Sequence, residues 1–130
     1  RVQVSPLVTG LTDNEIEASM AAAAEAGASH ATSIPLRLPR EVAALFRDWI
    51  ETTFPDRAAH VMNRVRELHG GRDYDPQFGI RMTGQGIWAE LIERRKQVAR
   101  RRYGLERGLP KLRSDLFAVP PKAGDQLSLF

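Results

Sequence analysis

The sequence contains no cysteine. Disulfide bonds, thiolate-bound metals and cysteine nucleophiles are therefore excluded within these residues. There is also no run of about eighteen apolar residues and no N-terminal signal pattern, so we expect a cytoplasmic protein. The histidines His30, His60 and His69 lack the spacing of a metal site, and we predict packing or surface roles for them.

Basic side chains are concentrated in the second half of the chain. Residues 1–60 carry five basic and eight acidic side chains, whereas residues 61–130 carry fourteen basic and eight acidic ones. Between Arg94 and Arg113, nine Lys or Arg accompany a single acid, Glu106. Such a segment attracts phosphate or another acidic partner, but a solvated helix face has the same composition. Charge alone leaves both interpretations open.

The chain begins at Arg1 rather than at a methionine, and it runs directly into a strand-like stretch. Its 27% charged and 42% hydrophobic residues are ordinary for a globular protein and argue against wholesale disorder. A folded core is therefore expected, although not a large one. We interpret the sequence as a fragment of a longer polypeptide.

The first half of the sequence alternates strand and helix signals. Residues 2–8 and 31–38 have the β-branched content of strands, although Pro35 cannot donate a ladder hydrogen bond within the second. A helix pattern over residues 13–26 separates them, and another follows Pro39. Such alternation is typical of parallel βα units. Because two units cannot close a sheet or a barrel, further strands are expected upstream.

The predicted helices have marked boundaries and inward faces. Thr12 and Glu15 form the pattern of a capping box at the start of the first helix, and Gly27 follows its end. After residue 55, two further helices follow without intervening strands. The inward positions predicted for the second, third and fourth helices are Val42, Leu45, Phe46, Trp49, Ile50 and Thr53, then Ala58, Val61, Met62, Val65 and Leu68, then Trp88, Leu91, Ile92, Val98 and Ala99.

An ordered series of short segments runs through nearly the whole chain. Its main members are residues 4–13, 36–42, 54–58, 70–71, 74–75, 78–79, 81–82 and 89–92. The series resembles the C-terminal part of the spore photoproduct lyase-like radical SAM proteins, a branch commonly labelled DNA repair photolyase. A departure is Thr9, which stands where many of those proteins have proline. The series as a whole is more specific to this family than any one of its segments.

The resemblance implies an α/β fold. Residues 1–54 would form the last βα units of a partial (β/α) radical SAM barrel, residues 55–104 a helical extension, and residues 105–130 an extended, flexible tail. It also implies a [4Fe-4S] cluster and S-adenosylmethionine (SAM) as cofactors of the intact, lyase-like enzyme. The cluster cysteines would lie upstream, so this fragment alone is expected to bind no metal and to be inactive.

In a βα barrel, ligands bind at the C-terminal ends of the strands. The resemblance therefore places SAM or a substrate near Ser5, Pro6 and Leu7 on the first strand and near Arg37 after the second. The Arg37 guanidinium offers a fixed bidentate fork for an acidic group. The alternatives are a salt bridge from Arg37 to a neighbouring helix and a Ser5 hydroxyl bonded to local backbone. The sequence identifies no catalytic residue.

A loop that mixes aromatic and charged residues precedes the basic fourth helix. An aromatic face stacks a base while arginine contacts phosphate, so Tyr74 with Arg94, Arg95 and Arg101 is a candidate surface for DNA. The alternative is structural. In that case Tyr74 and Phe78 pin the loop to the barrel, and the loop's aspartates pair with its own arginines.

The sequence ends in QLSLF, after a segment that contains two adjacent prolines. This pentapeptide resembles the short motif by which many bacterial DNA polymerases and repair proteins bind the sliding clamp. Leu127, Leu129 and Phe130 would fill apolar pockets, and the Gln126 amide would set the register by hydrogen bonds. The alternative is that these apolar side chains fold back onto the protein's own surface.

Three functional hypotheses follow from the sequence. The first is the C-terminal portion of a radical SAM, [4Fe-4S]-dependent enzyme that acts on DNA or another substrate. The second is a non-enzymatic module that binds nucleic acid or the sliding clamp through the basic helix and QLSLF. The third is an interaction scaffold, which predicts neither DNA binding nor a cluster. Radical chemistry separates the first hypothesis from the other two.

Overall fold

The computed structural model describes residues 1–108 and 110–124. Within them the chain forms a mixed α/β fold with two parallel strands and four α-helices, which confirms the predicted α/β class and the alternating order of the first half. The elements are β1 Val2–Leu7, α1 Ile16–Glu25, β2 Ala31–Pro35, α2 Val42–Thr53, α3 Pro55–Leu68 and α4 Gly86–Arg102. Short 3-10 turns, Asp13–Glu15 and Ile80–Met82, lie before α1 and α4.

The two strands pair in parallel with a defined register. Val2 lies opposite Ala31, and Val4 lies opposite Ser33. Because side chains alternate along a strand, these pairs share one face of the sheet, and Val2, Val4 and Ala31 pack with residues of α1 and α4. Ser5 belongs to the opposite set and is exposed. The other edge of β1 pairs with no strand in the described part of the chain.

β2 ends at Pro35, earlier than the strand predicted to residue 38. Leu36 still donates its N–H to the carbonyl of Leu7 at 2.9 Å, but its own carbonyl accepts a hydrogen bond from His69 Nε2 at 3.0 Å. A side chain from the end of α3 thus takes the place of a further strand partner. Because His69 is distant in sequence, the local pattern around Pro35 does not predict this ending.

Two hydrophobic clusters hold the helices to the sheet. The first lies between the sheet, α1 and α4, and its buried members are Leu7, Ile16, Met20, Ala31, Ile92, Ala99 and Leu105. The second lies between α2, α3 and the residues that follow the two strands. Its buried members are Val8, Leu36, Leu38, Ile50, Ala58, Val61, Met62 and Val65. Each cluster combines side chains from both sides of residue 54.

α1 begins with a 3-10 turn instead of the predicted capping box. The Thr12 hydroxyl accepts a hydrogen bond from the Val8 N–H at 3.0 Å, and Asp13 Oδ1 accepts one from the Gly10 N–H at 2.9 Å. Both side chains therefore close the turn after β1, and none caps the first turn of α1. The capping-box prediction was wrong because the Thr12 hydroxyl, its predicted cap, bonds the turn after β1 instead.

The predicted inward face is confirmed for α3, where all five predicted positions are buried. It is only partly correct for α2. Ile50 is fully buried, but Val42, Leu45 and Trp49 are 40%, 66% and 45% exposed. The apolar stripe of α2 is therefore wider than the surface that its contact with α3 covers.

α4 shows the same difference. Ile92 and Ala99 are buried, whereas Leu91 and Val98, also predicted to face inward, are exposed. Trp88 is half-buried, with the guanidinium of Arg64 located 3.9 Å from its ring centroid. In the part of the chain that the structure describes, no helix is long and apolar enough to cross a membrane.

Candidate ligand and nucleic-acid sites

The candidate ligand residues of β1 differ in accessibility. Ser5 and Pro6 are exposed, and the peptide bond between them is cis. The Ser5 hydroxyl donates a long hydrogen bond of 3.5 Å to the carbonyl of Ile34 on the neighbouring strand. Leu7 is 1% exposed within the cluster under α1. Ser5 and Pro6 can therefore contact a ligand, whereas the Leu7 side chain serves the core.

Arg37 follows β2 and is half-buried. Its Nη1 donates to the thioether sulfur of Met82 at 3.2 Å. Among residues 1–108 and 110–124, no carboxylate lies within ion-pairing distance of Arg37, so the alternative of a salt bridge to a neighbouring helix is not formed. A thioether is a weak acceptor. The guanidinium thus keeps its capacity for a carboxylate or phosphate.

The loop after α3 is held in place by ion pairs with helices. Asp73 accepts a hydrogen bond from Arg66 Nε of α3 at 2.9 Å and also pairs with Arg47 of α2. Asp75 accepts the N–H of Gln77 at 2.9 Å and closes a local turn. The prediction that the aspartates pair with the loop's own arginines was wrong. The bonds of Asp73 instead fix the loop to both helices.

The two aromatic residues of this loop have different roles. Tyr74 is half-buried and meets His69 edge-on, with 6.2 Å between ring centroids. Phe78 is 86% exposed, and the guanidinium of Arg81 lies 5.3 Å from its ring centroid. Tyr74 therefore anchors the loop, whereas Phe78 is the ring presented to solvent. The sequence did not distinguish them, since the partner of Tyr74 is a histidine whose burial depends on tertiary packing.

Arg95 of α4 is bound to α1. Its Nε and Nη2 donate to the two carboxylate oxygens of Glu17 at 3.0 and 2.7 Å. These bonds lower the pKa of Glu17 below its ordinary value, so the carboxylate stays ionised and paired. The sequence suggested Arg95 as a nucleic-acid contact, but its Nε and Nη2 donors are already bonded to Glu17.

Arg94 and Arg101 lie on the solvent side of α4. Arg94 is exposed, and the Arg101 side chain is 74% exposed, with its Nε 3.6 Å from Glu106 Oε1. The two residues are seven apart, so they share one side of the helix about 10 Å apart along its axis. Of the four candidate nucleic-acid residues, the structure therefore brings these two together and directs Tyr74 and Arg95 elsewhere.

A groove of about 610 Å³ lies between the first turns of α4 and the turn before it. Its lining residues are Thr83, Gly84, Gln85, Gly86, Ala89, Glu90, Glu93, Arg94 and Gln97. Lys96 donates to Glu93 at 2.6 Å, and this bond lowers the pKa of Glu93. Both charge signs are present in the groove, so it does not by itself select an anion.

The residues present do not fit an iron–sulfur cluster. Residues 1–108 and 110–124 contain no group of three or more His, Cys, Asp or Glu that could hold a metal ion, and the sequence has no thiolate. No reaction step through a cluster is therefore assigned to this chain. The candidate clamp-binding residues Gln126, Leu127, Leu129 and Phe130 lie outside the described residues.

No family model, curated protein or solved structure matches the chain. The features that bear on function are the ordered sequence segments and the geometry of the strand ends and of α4. In that geometry, Ser5, Pro6 and Arg37 are available to a ligand after the strands, and Arg94 and Arg101 are available on α4.

Proposed function

We propose that these residues are the C-terminal part of a radical SAM enzyme similar to spore photoproduct lyase. The observation that carries the proposal is the parallel β1–α1–β2 unit, built from the segments that resemble this family. Helices cover one face of its sheet, Ser5 on the other face is exposed, and β1 has an edge with no strand partner in the described residues. A parallel sheet needs covered faces or a closed ring, which a barrel supplies.

In this proposal, the residues of this chain bind and orient the reactants. Ser5 and Pro6 line the end of β1, and Arg37 offers parallel N–H donors to a carboxylate of SAM or to an acidic substrate group. The electron for SAM cleavage would come from a [4Fe-4S] cluster bound by another part of the polypeptide. DNA is the proposed substrate polymer, as the resemblance implies.

The complete native polypeptide tests this proposal. After anaerobic reconstitution with iron and sulfide, it is expected to show cluster absorbance and to convert SAM to 5′-deoxyadenosine in the presence of dithionite. Arg37→Ala is expected to raise the SAM or substrate concentration for half-maximal turnover about tenfold, as loss of one charged hydrogen-bonding group does. Arg72→Ala, an exposed arginine in the loop, is the matched control.

Two results would contradict the enzyme proposal. One is a complete polypeptide that takes up no cluster. The other is a fully loaded protein that cleaves no SAM. If cleavage occurs and Arg37→Ala behaves like Arg72→Ala, the enzyme stands and the role of Arg37 is wrong.

A second candidate function is recruitment to the sliding clamp, which the QLSLF sequence favours. In the described residues before it, Leu112, Leu116, Phe117 and Val119 are exposed, as expected for a segment that is not packed on the domain. Truncation after Asp125 is expected to abolish clamp binding without lowering the melting temperature. Unchanged clamp binding would contradict this function. A sharp fall in melting temperature would mean that the segment stabilises the folded domain instead.

A further inference from the structure

α4 carries two neighbouring stripes with the same alternating spacing of four and three residues. The members of the buried stripe are Trp88, Ile92, Arg95 and Ala99. The members of the second, which we call the exposed stripe, are Ile87, Leu91, Arg94, Val98 and Arg101. The buried stripe contacts the rest of the fold through the first hydrophobic cluster and the bonds from Arg95 to Glu17. The exposed stripe lies one residue, about 100°, around the helix.

The exposed stripe is apolar at three of its five positions. Ile87, Leu91 and Val98 are 77%, 45% and 65% exposed. Single exposed aliphatic residues are ordinary, but here three lie on one line of the helix, with Arg94 between Leu91 and Val98. Spacing of this kind is also that of the contact positions of a coiled coil. The exposed stripe therefore has the spacing of a surface that fits another helix.

The two arginines determine which helix the exposed stripe fits. Arg94 has no carboxylate within ion-pairing distance in the described residues, and Arg101 has only the 3.6 Å contact with Glu106. A helix packed on this line would desolvate both guanidinium groups. That cost is offset only if the partner supplies carboxylates at the facing positions.

We propose that the exposed stripe of α4 is a docking surface for an amphipathic helix of a partner protein. Apolar residues of the partner helix would contact Leu91 and Val98, and Asp or Glu side chains of the partner helix would bind Arg94 and Arg101. Glu90 lies exposed beside the stripe, so a basic residue of the partner belongs opposite it. This inference does not depend on cluster chemistry.

A second copy of the chain is a poor occupant of the same exposed stripe. In an antiparallel pair of α4 helices, Arg94 at the centre of the stripe would face Arg94 of the other copy. In a parallel pair, each arginine would face its own counterpart. Like charges at contact positions are destabilising, and this repulsion selects against self-pairing.

Nucleic acid also fits the stripe less well than an acidic helix does. Phosphates would be attracted to Arg94 and Arg101, but Ile87, Leu91 and Val98 would gain nothing from contact with a charged backbone. The exposed Glu90 would repel it. The combination of apolar and basic positions is therefore best satisfied by a partner with apolar and acidic positions.

A synthetic helix with a fluorescent label provides the test. The probe has about three heptads, with leucine opposite Leu91 and Val98, glutamate opposite Arg94 and Arg101, and lysine opposite Glu90. We expect it to bind the complete native polypeptide in fluorescence anisotropy. The double variant Arg94→Glu/Arg101→Glu should weaken binding at least about tenfold. A second probe, with lysine in place of the two glutamates, should bind the double variant and not the original protein.

The matched control is Arg57→Glu/Arg72→Glu, which makes the same charge change at two exposed arginines outside the stripe. It should bind the first probe nearly as well as the original protein does, and circular dichroism should show that both double variants are folded. Equal weakening by both would mean general charge attraction and would overturn the proposal.

Three other results would also overturn it. The first is failure of the original protein to bind the first probe. The second is binding of a short DNA duplex, sensitive to Arg94→Glu/Arg101→Glu, without probe binding, which would assign the surface to nucleic acid. The third is self-association that Leu91→Glu abolishes, which would assign it to a second copy. None of these results bears on cluster binding or SAM cleavage.

Discussion

Replacing Ile50 by alanine is expected to lower the free energy of unfolding by about 3 kcal/mol, whereas Leu45→Ala should change it by less than about 0.5 kcal/mol. The two residues are on the same helix, α2. Ile50 is fully buried in the second hydrophobic cluster, so the shorter side chain leaves a cavity beside α3. Leu45 is 66% exposed and loses little contact.

Chemical denaturation of the two variants and the original chain measures the difference. The denaturant slope should be the same for all three proteins, so that midpoints report stability. In a domain of this size, about 3 kcal/mol also corresponds to a fall of roughly 10 °C in melting temperature. If Leu45→Ala costs as much as Ile50→Ala, the outer side of α2 is covered in solution.

Gly10→Ala is expected to lower stability by about 2–3 kcal/mol, more than Gly27→Ala at about 1 kcal/mol. Both glycines have left-handed backbone, with φ of 85° and 83°, so both substitutions carry the cost of a side chain in that conformation. A Cβ at Gly10 would lie 2.8 Å from His60 Cδ2, whereas one at Gly27 would meet nothing within 4 Å. The difference between the two is therefore the cost of displacing the His60 ring.

A double-mutant cycle isolates that contact. His60→Ala removes the ring, so Gly10→Ala made in that background should cost about as much as Gly27→Ala. The histidine is itself exposed, and its replacement alone should have a small effect. If the cost of Gly10→Ala is unchanged without the ring, backbone conformation accounts for all of it and the close approach of His60 is irrelevant.

Much of the architecture was predictable from local pattern. The five apolar positions of α3 recur at helical spacing and all are buried. Gly27 ends α1, where its N–H and that of Ala28 bond the carbonyls of Ala24 and Ala23 at 2.9 Å. The alternation of elements indicated parallel strands, which the register of β1 with β2 shows. These features depend on a few neighbouring residues, which is why sequence predicts them.

Other features were beyond local pattern. Thr12 had two turns within reach and bonds the one after β1. Asp73 pairs with Arg66 and Arg47 because the fold brings α2 and α3 to the loop, although arginines nearer in sequence were available. His69 is buried because its ring reaches the carbonyl at the end of β2. In each case several partners are chemically equivalent, and three-dimensional proximity selects one.

The sequence by itself determined the order of the elements, the parallel units of the first half, the buried face of α3 and the basic character of α4. Only the tertiary structure decided which part of the apolar face is covered on α2 and α4. Arg94 and Arg95 are adjacent and chemically identical, yet Arg95 binds Glu17 of α1 and Arg94 faces solvent. One residue rotates a side chain by about 100°, so packing alone separates a structural arginine from one free to bind a partner.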